Sequence, residues 1–87
     1  MMFWIVAPSD KETELRALYD LAMIPADEGF EKMGVPQFNL EGTKIIVGTG
    51  RATQEDFTRV AAYIVQNNLD WVDIYSEFPE DWTFPTE

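Results

Sequence analysis

Gly48 and Gly50 flank Thr49 between a β-branched run and the start of a helical pattern, and Arg51 follows directly. Backbone N–H groups at a strand-to-helix junction form an anion site, and Arg51 would add a cation. Gly48, Gly50 and Arg51 are therefore the candidate anion- or ligand-binding set. The match is partial: Thr53 stands where a dinucleotide fingerprint carries its third glycine, and the P-loop spacing with its Lys is absent. A turn that uses glycine for backbone freedom explains the same residues. Asp27, Glu28 and Glu31 form a second set, close enough on a short helix to share Mg²⁺ or Ca²⁺. No calcium-loop spacing accompanies them and Lys32 sits beside them, so a solvated helix face is the simpler account and no metal site is expected. Paired carboxylates hydrolyse glycosides without histidine, but 87 residues leave little room for a sugar-sized cleft.

The densest group of interaction-prone side chains lies at the end of the chain. From Asp70 to Glu87 there are six acids (Asp70, Asp73, Glu77, Glu80, Asp81, Glu87) and no base, interleaved with Trp71, Tyr75, Phe78, Trp82 and Phe84. If Val72 and Ile74 face the helices, strand alternation puts Trp71, Asp73 and Tyr75 together on the opposite sheet face. Trp and Tyr are favoured interface anchors, and aromatic faces beside carboxylates suit the cations of a basic partner. Trp71, Asp73, Tyr75, Glu77, Glu80, Asp81 and Trp82 are the expected partner-binding residues. In the competing account Phe78, Trp82 and Phe84 fold back onto the sheet and leave the acids to solvent.

Composition narrows the chemistry further. The chain has neither Cys nor His. Disulfides, thiolate sites, zinc centres, Ser–His–Asp triads and Cys–His pairs are out of reach. An enzyme would have to run on carboxylates, Tyr, Lys, Arg or a bound ion, and no constellation for it is present. A non-enzymatic protein without a cofactor is expected. Sixteen acids against six bases give a net charge of −10. That charge repels phosphate backbones and anionic membranes, which disfavours direct nucleic-acid and membrane binding and favours a basic protein partner. Acidity that serves solubility alone is the alternative. Small secreted domains are commonly stapled by disulfides, so the lack of Cys points to a reducing, cytoplasmic home. The apolar run over residues 1–7 is too short for a signal segment and lacks a basic flank, and no stretch approaches a membrane span.

These residues need a scaffold. The chain suffices for one domain burying about 64% of its unfolded surface. Phe3 to Ala7 is a continuous apolar run stopped by Pro8, which reads as a buried strand. Ser9 and Glu12 have capping-box spacing, and Leu15, Leu18, Tyr19 and Ala22 recur at helical intervals. That predicts a helix over Asp10–Met23, stopped before Pro25. From Pro25 to Gly34 either a short helix carrying Phe30 and Met33 or a loop fits. Gln37–Leu40 alternates as an edge strand, Glu41-Gly42 marks a hairpin tip and Thr43–Val47 is a β-branched strand. Thr53, with Asp56 three residues on, opens a second helix whose stripe is Phe57, Val60, Ala61, Ile64 and Val65, ended at Asn67-Asn68. Trp71–Tyr75 alternates as the last strand. Residues 1–77 form the domain, and 78–87 an acidic aromatic tail packed on it.

The order β-α-β-β-α-β is that of a ferredoxin-like α+β fold, a four-stranded antiparallel sheet with two helices on one face. The first and third strands, the most continuously apolar, suit its centre. The runner-up is a small βαβ-type sheet in which the second strand is loop. Two helices cover one face only, yet Phe3, Ile5 and Ala7 point one way and Trp4 and Val6 the other. The open face needs a cover: the tail, a second copy in a homodimer, or a partner. RNA-recognition modules carry aromatic motifs on strands one and three, and Thr43–Val47 holds no aromatic, so that reading fails. The expected function is a small acidic protein-binding module. In size and charge it is similar to inhibitors carried by phages and other mobile elements, which act as nucleic-acid mimics on basic sites of a partner protein. The alternative is a homodimeric regulatory domain that binds a small ligand near Gly48, Gly50 and Arg51.

Overall fold

The structure, a computed structural model, describes residues 2–22, 34–49 and 53–85. The chain runs through β1 (Trp4–Pro8), a 3-10 turn (Ser9–Lys11), α1 (Glu12–Ala22), β2 (Gln37–Phe38), β3 (Lys44–Gly48), α2 (Gln54–Gln66) and β4 (Asp73–Tyr75). This is an α+β fold in which four strands form one antiparallel sheet in the order β2-β3-β1-β4, joined by two helices. The segment expected to be a short helix or loop lies outside the described residues, Gly34 excepted. Among the described residues no helix is long and apolar enough to cross a membrane.

β1 sits centrally because it is apolar on both faces. Ile5 pairs with Val47 on one side and Ile74 on the other. Phe3, Ile5, Ala7, Ile45 and Val47 form the sheet side of a buried core. Leu15 and Leu18 of α1 and Val60 of α2 close over them, and Phe57 meets Phe3 edge-to-face at 5.2 Å. Fully burying one such aliphatic side chain contributes about 1.5–3 kcal/mol, so this layer supplies most of the fold's driving force.

The helix starts show where local chemistry governs and where it yields. Thr53 Oγ1 accepts the Asp56 N–H at 3.1 Å, and Asp56 Oδ2 accepts the Thr53 N–H at 2.9 Å, a complete capping box for α2. Asn68 ends the helix region with φ at +52°, a conformation Asn tolerates. Ser9 is not the cap of α1. Pro8 still pairs with Lys44, so the chain turns helical at Ser9 itself, whose N–H donates to the Thr43 carbonyl at 2.9 Å. The stripe on α2 also shifts. Val65 is 76% exposed, while Tyr63 packs against the core. Val60 is fully buried, and at about 100° per residue Val65 lies about 140° around the helix from it, whereas Tyr63 lies only about 60° away.

Two polar side chains hold the sheet where the sequence pattern was silent. Asn39 Oδ1 accepts the N–H groups of Thr43 (2.9 Å) and Lys44 (3.1 Å), closing the β2–β3 hairpin around Gly42, whose φ is +72°. Thr49 is fully buried, and its hydroxyl accepts the Phe3 N–H and donates to the Phe3 carbonyl, each at 3.0 Å. It latches the end of β3 to the start of β1. Thr49→Val keeps the shape but leaves the Phe3 N–H short of an acceptor, a loss of about 1–3 kcal/mol. Urea unfolding should show Thr49→Val in that range and Thr49→Ser less affected; a native-like Thr49→Val beside a destabilised Thr49→Ser would mean the methyl, not the hydroxyl, is the latch.

Candidate functional site

The sheet face turned away from the helices carries Trp4 and Val6 of β1, Ile46 of β3, and Asp73 and Tyr75 of β4. Register makes rows of them: Trp4 lies between Gly48 and Tyr75, and Val6 between Ile46 and Asp73. Val6 is 5% exposed and Ile46 3%, although neither belongs to the helix-side core. The tail packs on this face. Phe78 meets Trp4 edge-to-face at 5.8 Å, Phe84 stacks on Phe78 at 5.9 Å, and Trp82 meets Phe84 at 6.4 Å. The Leu40 N–H donates to the Thr83 carbonyl at 2.7 Å, tying tail to hairpin.

With Phe78 packed on Trp4, the tail leaves its acids exposed. Asp73, Glu77, Glu80 and Asp81 are exposed. Tyr75 stands beside Asp73 and Asp81, its phenol held above its ordinary pKa of 10.0 first by desolvation and then by the negative charges of those two carboxylates. Those two carboxylates, one on β4 and one in the tail, thus act on the same hydroxyl. Trp82 is half-buried, and its indole N–H is buried without a hydrogen-bond acceptor among the described residues.

Trp71 does not join this face. It packs against the helix-side core, with Lys11 Nζ 5.9 Å from its ring centre. The expected alternation fails because β4 begins only at Asp73, and Trp71 lies in the preceding turn, where the Val72 N–H reaches back to the Leu69 carbonyl. Of the expected partner-binding residues, Asp73, Tyr75, Asp81 and Trp82 are brought together, and Glu77 and Glu80 lie on the same acidic tail segment.

The glycine-rich junction is occupied by structure. A methyl on Gly48 would meet Met2 Cε at 3.1 Å and Trp4 Nε1 at 3.3 Å, so this glycine seats the Trp4 indole. Its carbonyl accepts the Gly34 N–H, and the Thr49 N–H donates to Phe3. At the start of α2 the Asp56 carboxylate already fills the cap. Gly50 and Arg51 lie outside the described residues, as do Asp27, Glu28 and Glu31. Among the described residues no three acids gather as a metal-ligating group.

Sequence reasoning missed the hairpin's part in the site. A cavity of about 160 Å³ opens between hairpin and tail, with Val6 among its lining residues. Asn39, Glu41 and Lys44 border it from the hairpin, and Tyr75, Asp81, Trp82 and Thr83 from the other side. Asn39 reads in the sequence as part of an edge strand, and nothing there shows that it meets a tail some forty residues later. No protein-family model matches this chain, and neither curated proteins nor solved structures give a match.

Trp82→Ala should destabilise by about 2 kcal/mol, below the values of fully buried rings because this one is half-exposed. Trp82→Phe should stay within about 1 kcal/mol of the native chain, since losing the unpaired N–H offsets the smaller ring. Equal losses in both would show that the N–H has a partner. For Tyr75, the unfolded chain ionises first as pH rises past 10.0, so stability falls between that value and the higher folded pKa. Phenolate absorbance, read against Tyr75→Phe, should show this titration returning toward 10.0 in an Asp73→Asn, Asp81→Asn double variant; an unmoved titration would leave burial as the sole cause.

Proposed function

We propose that this chain is a non-enzymatic binding module whose acidic, aromatic face docks on a basic surface of a partner protein. The observation that carries the reading is the tail: Phe78 packs on Trp4 while Asp73, Glu77, Glu80 and Asp81 stay exposed, with Asp73 and Asp81 beside Tyr75. No base follows Arg59 in the chain, so nothing within β4 or the tail neutralises them. A surface of spaced carboxylates with aromatic faces complements a site that ordinarily holds nucleic acid, and occupation of such a site would inhibit it, as small acidic inhibitors of phages and mobile elements do. The same proposal sets the module in the reducing cytoplasm, which suits a chain without Cys. It also takes the fold as ferredoxin-like, supported by the element order, the central β1 and β3, and core packing of both helices on one face.

The small-ligand alternative has less support. An anion at the start of α2 would meet the Asp56 carboxylate, and a second copy on the open sheet face would have to displace the tail.

The test uses a defined basic nucleic-acid-binding protein, such as a histone, with and without competing duplex DNA. Binding should weaken steeply with salt and compete with DNA. Reversing Asp73, Glu77, Glu80 and Asp81 to Lys should weaken it at least about tenfold more than reversing Asp10, Glu12, Glu14 and Glu55, an exposed control set of equal charge. Equal losses from the two sets would reduce the effect to net charge and overturn the reading.

A further inference from the structure

We infer that the cavity between the β2–β3 hairpin and the tail is a seat for one arginine side chain of the partner; this deepens the docking reading and rests on it.

Size and lining select the ligand. The volume of about 160 Å³ leaves room for a guanidinium and its last methylenes. Glu41 and Asp81 supply carboxylates from the hairpin and the tail. Tyr75 and Trp82 supply aromatic surface, and Asn39 and Thr83 polar groups. Arginine suits that combination better than lysine: its planar cation stacks on rings, and its five donors in a fixed fork serve separated acceptors at once. Val6 contributes apolar surface for the side-chain stem.

The electrostatics agree with the geometry. The Tyr75 phenol feels the negative charge of Asp73 as well as Asp81, so the cavity borders a region where a cation is stabilised. Lys44 also borders the cavity and opposes such a ligand. Its removal therefore gives a test in the direction of gain. Glu77 and Glu80 are absent from the lining, which lets the cavity be tested apart from the wider surface.

The probes are three short capped peptides, glycine-arginine-glycine and its citrulline and lysine counterparts, titrated into the full chain and followed by amide and indole NMR. The arginine peptide should give saturable shifts at Trp82, Thr83 and Asn39. Citrulline, which keeps the shape without the charge, should bind at least about tenfold more weakly, and lysine should fall between. Asp81→Asn should lower arginine affinity severalfold, Trp82→Ala should lower it further, and Lys44→Met should raise it. The Phe3 and Thr49 amides, remote from the cavity, report whether each variant is folded, and Asp81→Asn on the exposed surface serves if Trp82→Ala is not. Citrulline binding as well as arginine, or shifts confined to Glu77 and Glu80, would overturn the cavity assignment. In that case salt-sensitive histone binding that still depends on the four tail-side acids would leave the docking surface standing. Cavity shifts with arginine alongside histone binding indifferent to those acids would overturn the wider surface and leave the seat.

Discussion

β1 is apolar on both of its faces, and the rest of the molecule is arranged around that constraint. Phe3, Ile5 and Ala7 lie under α1 and α2; Trp4 and Val6 point the other way. A sheet face of that kind does not stay open to water. The chain closes it from its own end, and the position of β4 makes this possible. Because β4 lies beside β1, with Tyr75 opposite Trp4, the chain leaves the sheet at the rim of the uncovered face. Three residues later Phe78 rests on Trp4. Had the last strand joined the far edge beside β2, the same tail would have started two strands away from the residues it must cover.

The charge distribution follows from the same cover. In a tail whose rings pack on Trp4 and on one another, Glu77, Glu80 and Asp81 are left exposed. Asp73 joins them from β4 because strand alternation sets it on the face opposite Ile74. The acidic face is thus a product of topology: aromatic residues fix the backbone and the acids have one direction left. Like charges gathered in this way repel one another and oppose the compact state. Neutralisation by a cationic partner would remove that penalty, so on the proposed function the arrangement that weakens the isolated chain would favour its association.

The layout was legible wherever a local pattern and a buried face coincided. The apolar runs at Phe3–Ala7 and Thr43–Val47, the Thr53–Asp56 cap and the Gly42 turn all read directly, because each depends on residues within one element. What did not read depended on a neighbour from elsewhere in the chain. Ser9 had capping-box spacing, but the strand pairing of Pro8 with Lys44 took the cap position. Trp71 fitted an alternating strand until pairing with β1 began two residues later. Gly48 resembled part of a phosphate loop, and its contacts with Trp4 and Met2 arise from cross-strand register and the approach of the chain's start. The acids and rings of the site were visible by composition; the hairpin wall contributed by Asn39, Glu41 and Lys44 was not, since nothing in the sequence says that it meets Trp82 and Thr83.

Cover and site are one element, and this has an energetic consequence. Among the described residues the tail is tied to the sheet by a single backbone hydrogen bond, from Leu40 to Thr83, together with ring contacts in which Phe78 and Phe84 remain 38% and 46% exposed. The central strands are held more firmly, by a full antiparallel ladder and the buried Thr49 latch. Local stability therefore falls from the centre of the sheet to the surface that presents the acids. A ligand that bridges hairpin and tail binds only the covered arrangement, and linkage requires that it stabilise that arrangement by its binding free energy. The relation is reciprocal: under the proposed docking, whatever loosens the rings on Trp4 would weaken binding even where every carboxylate is intact. On the proposed function, the apolar underside of the tail would be as much a determinant of recognition as its acidic outer side.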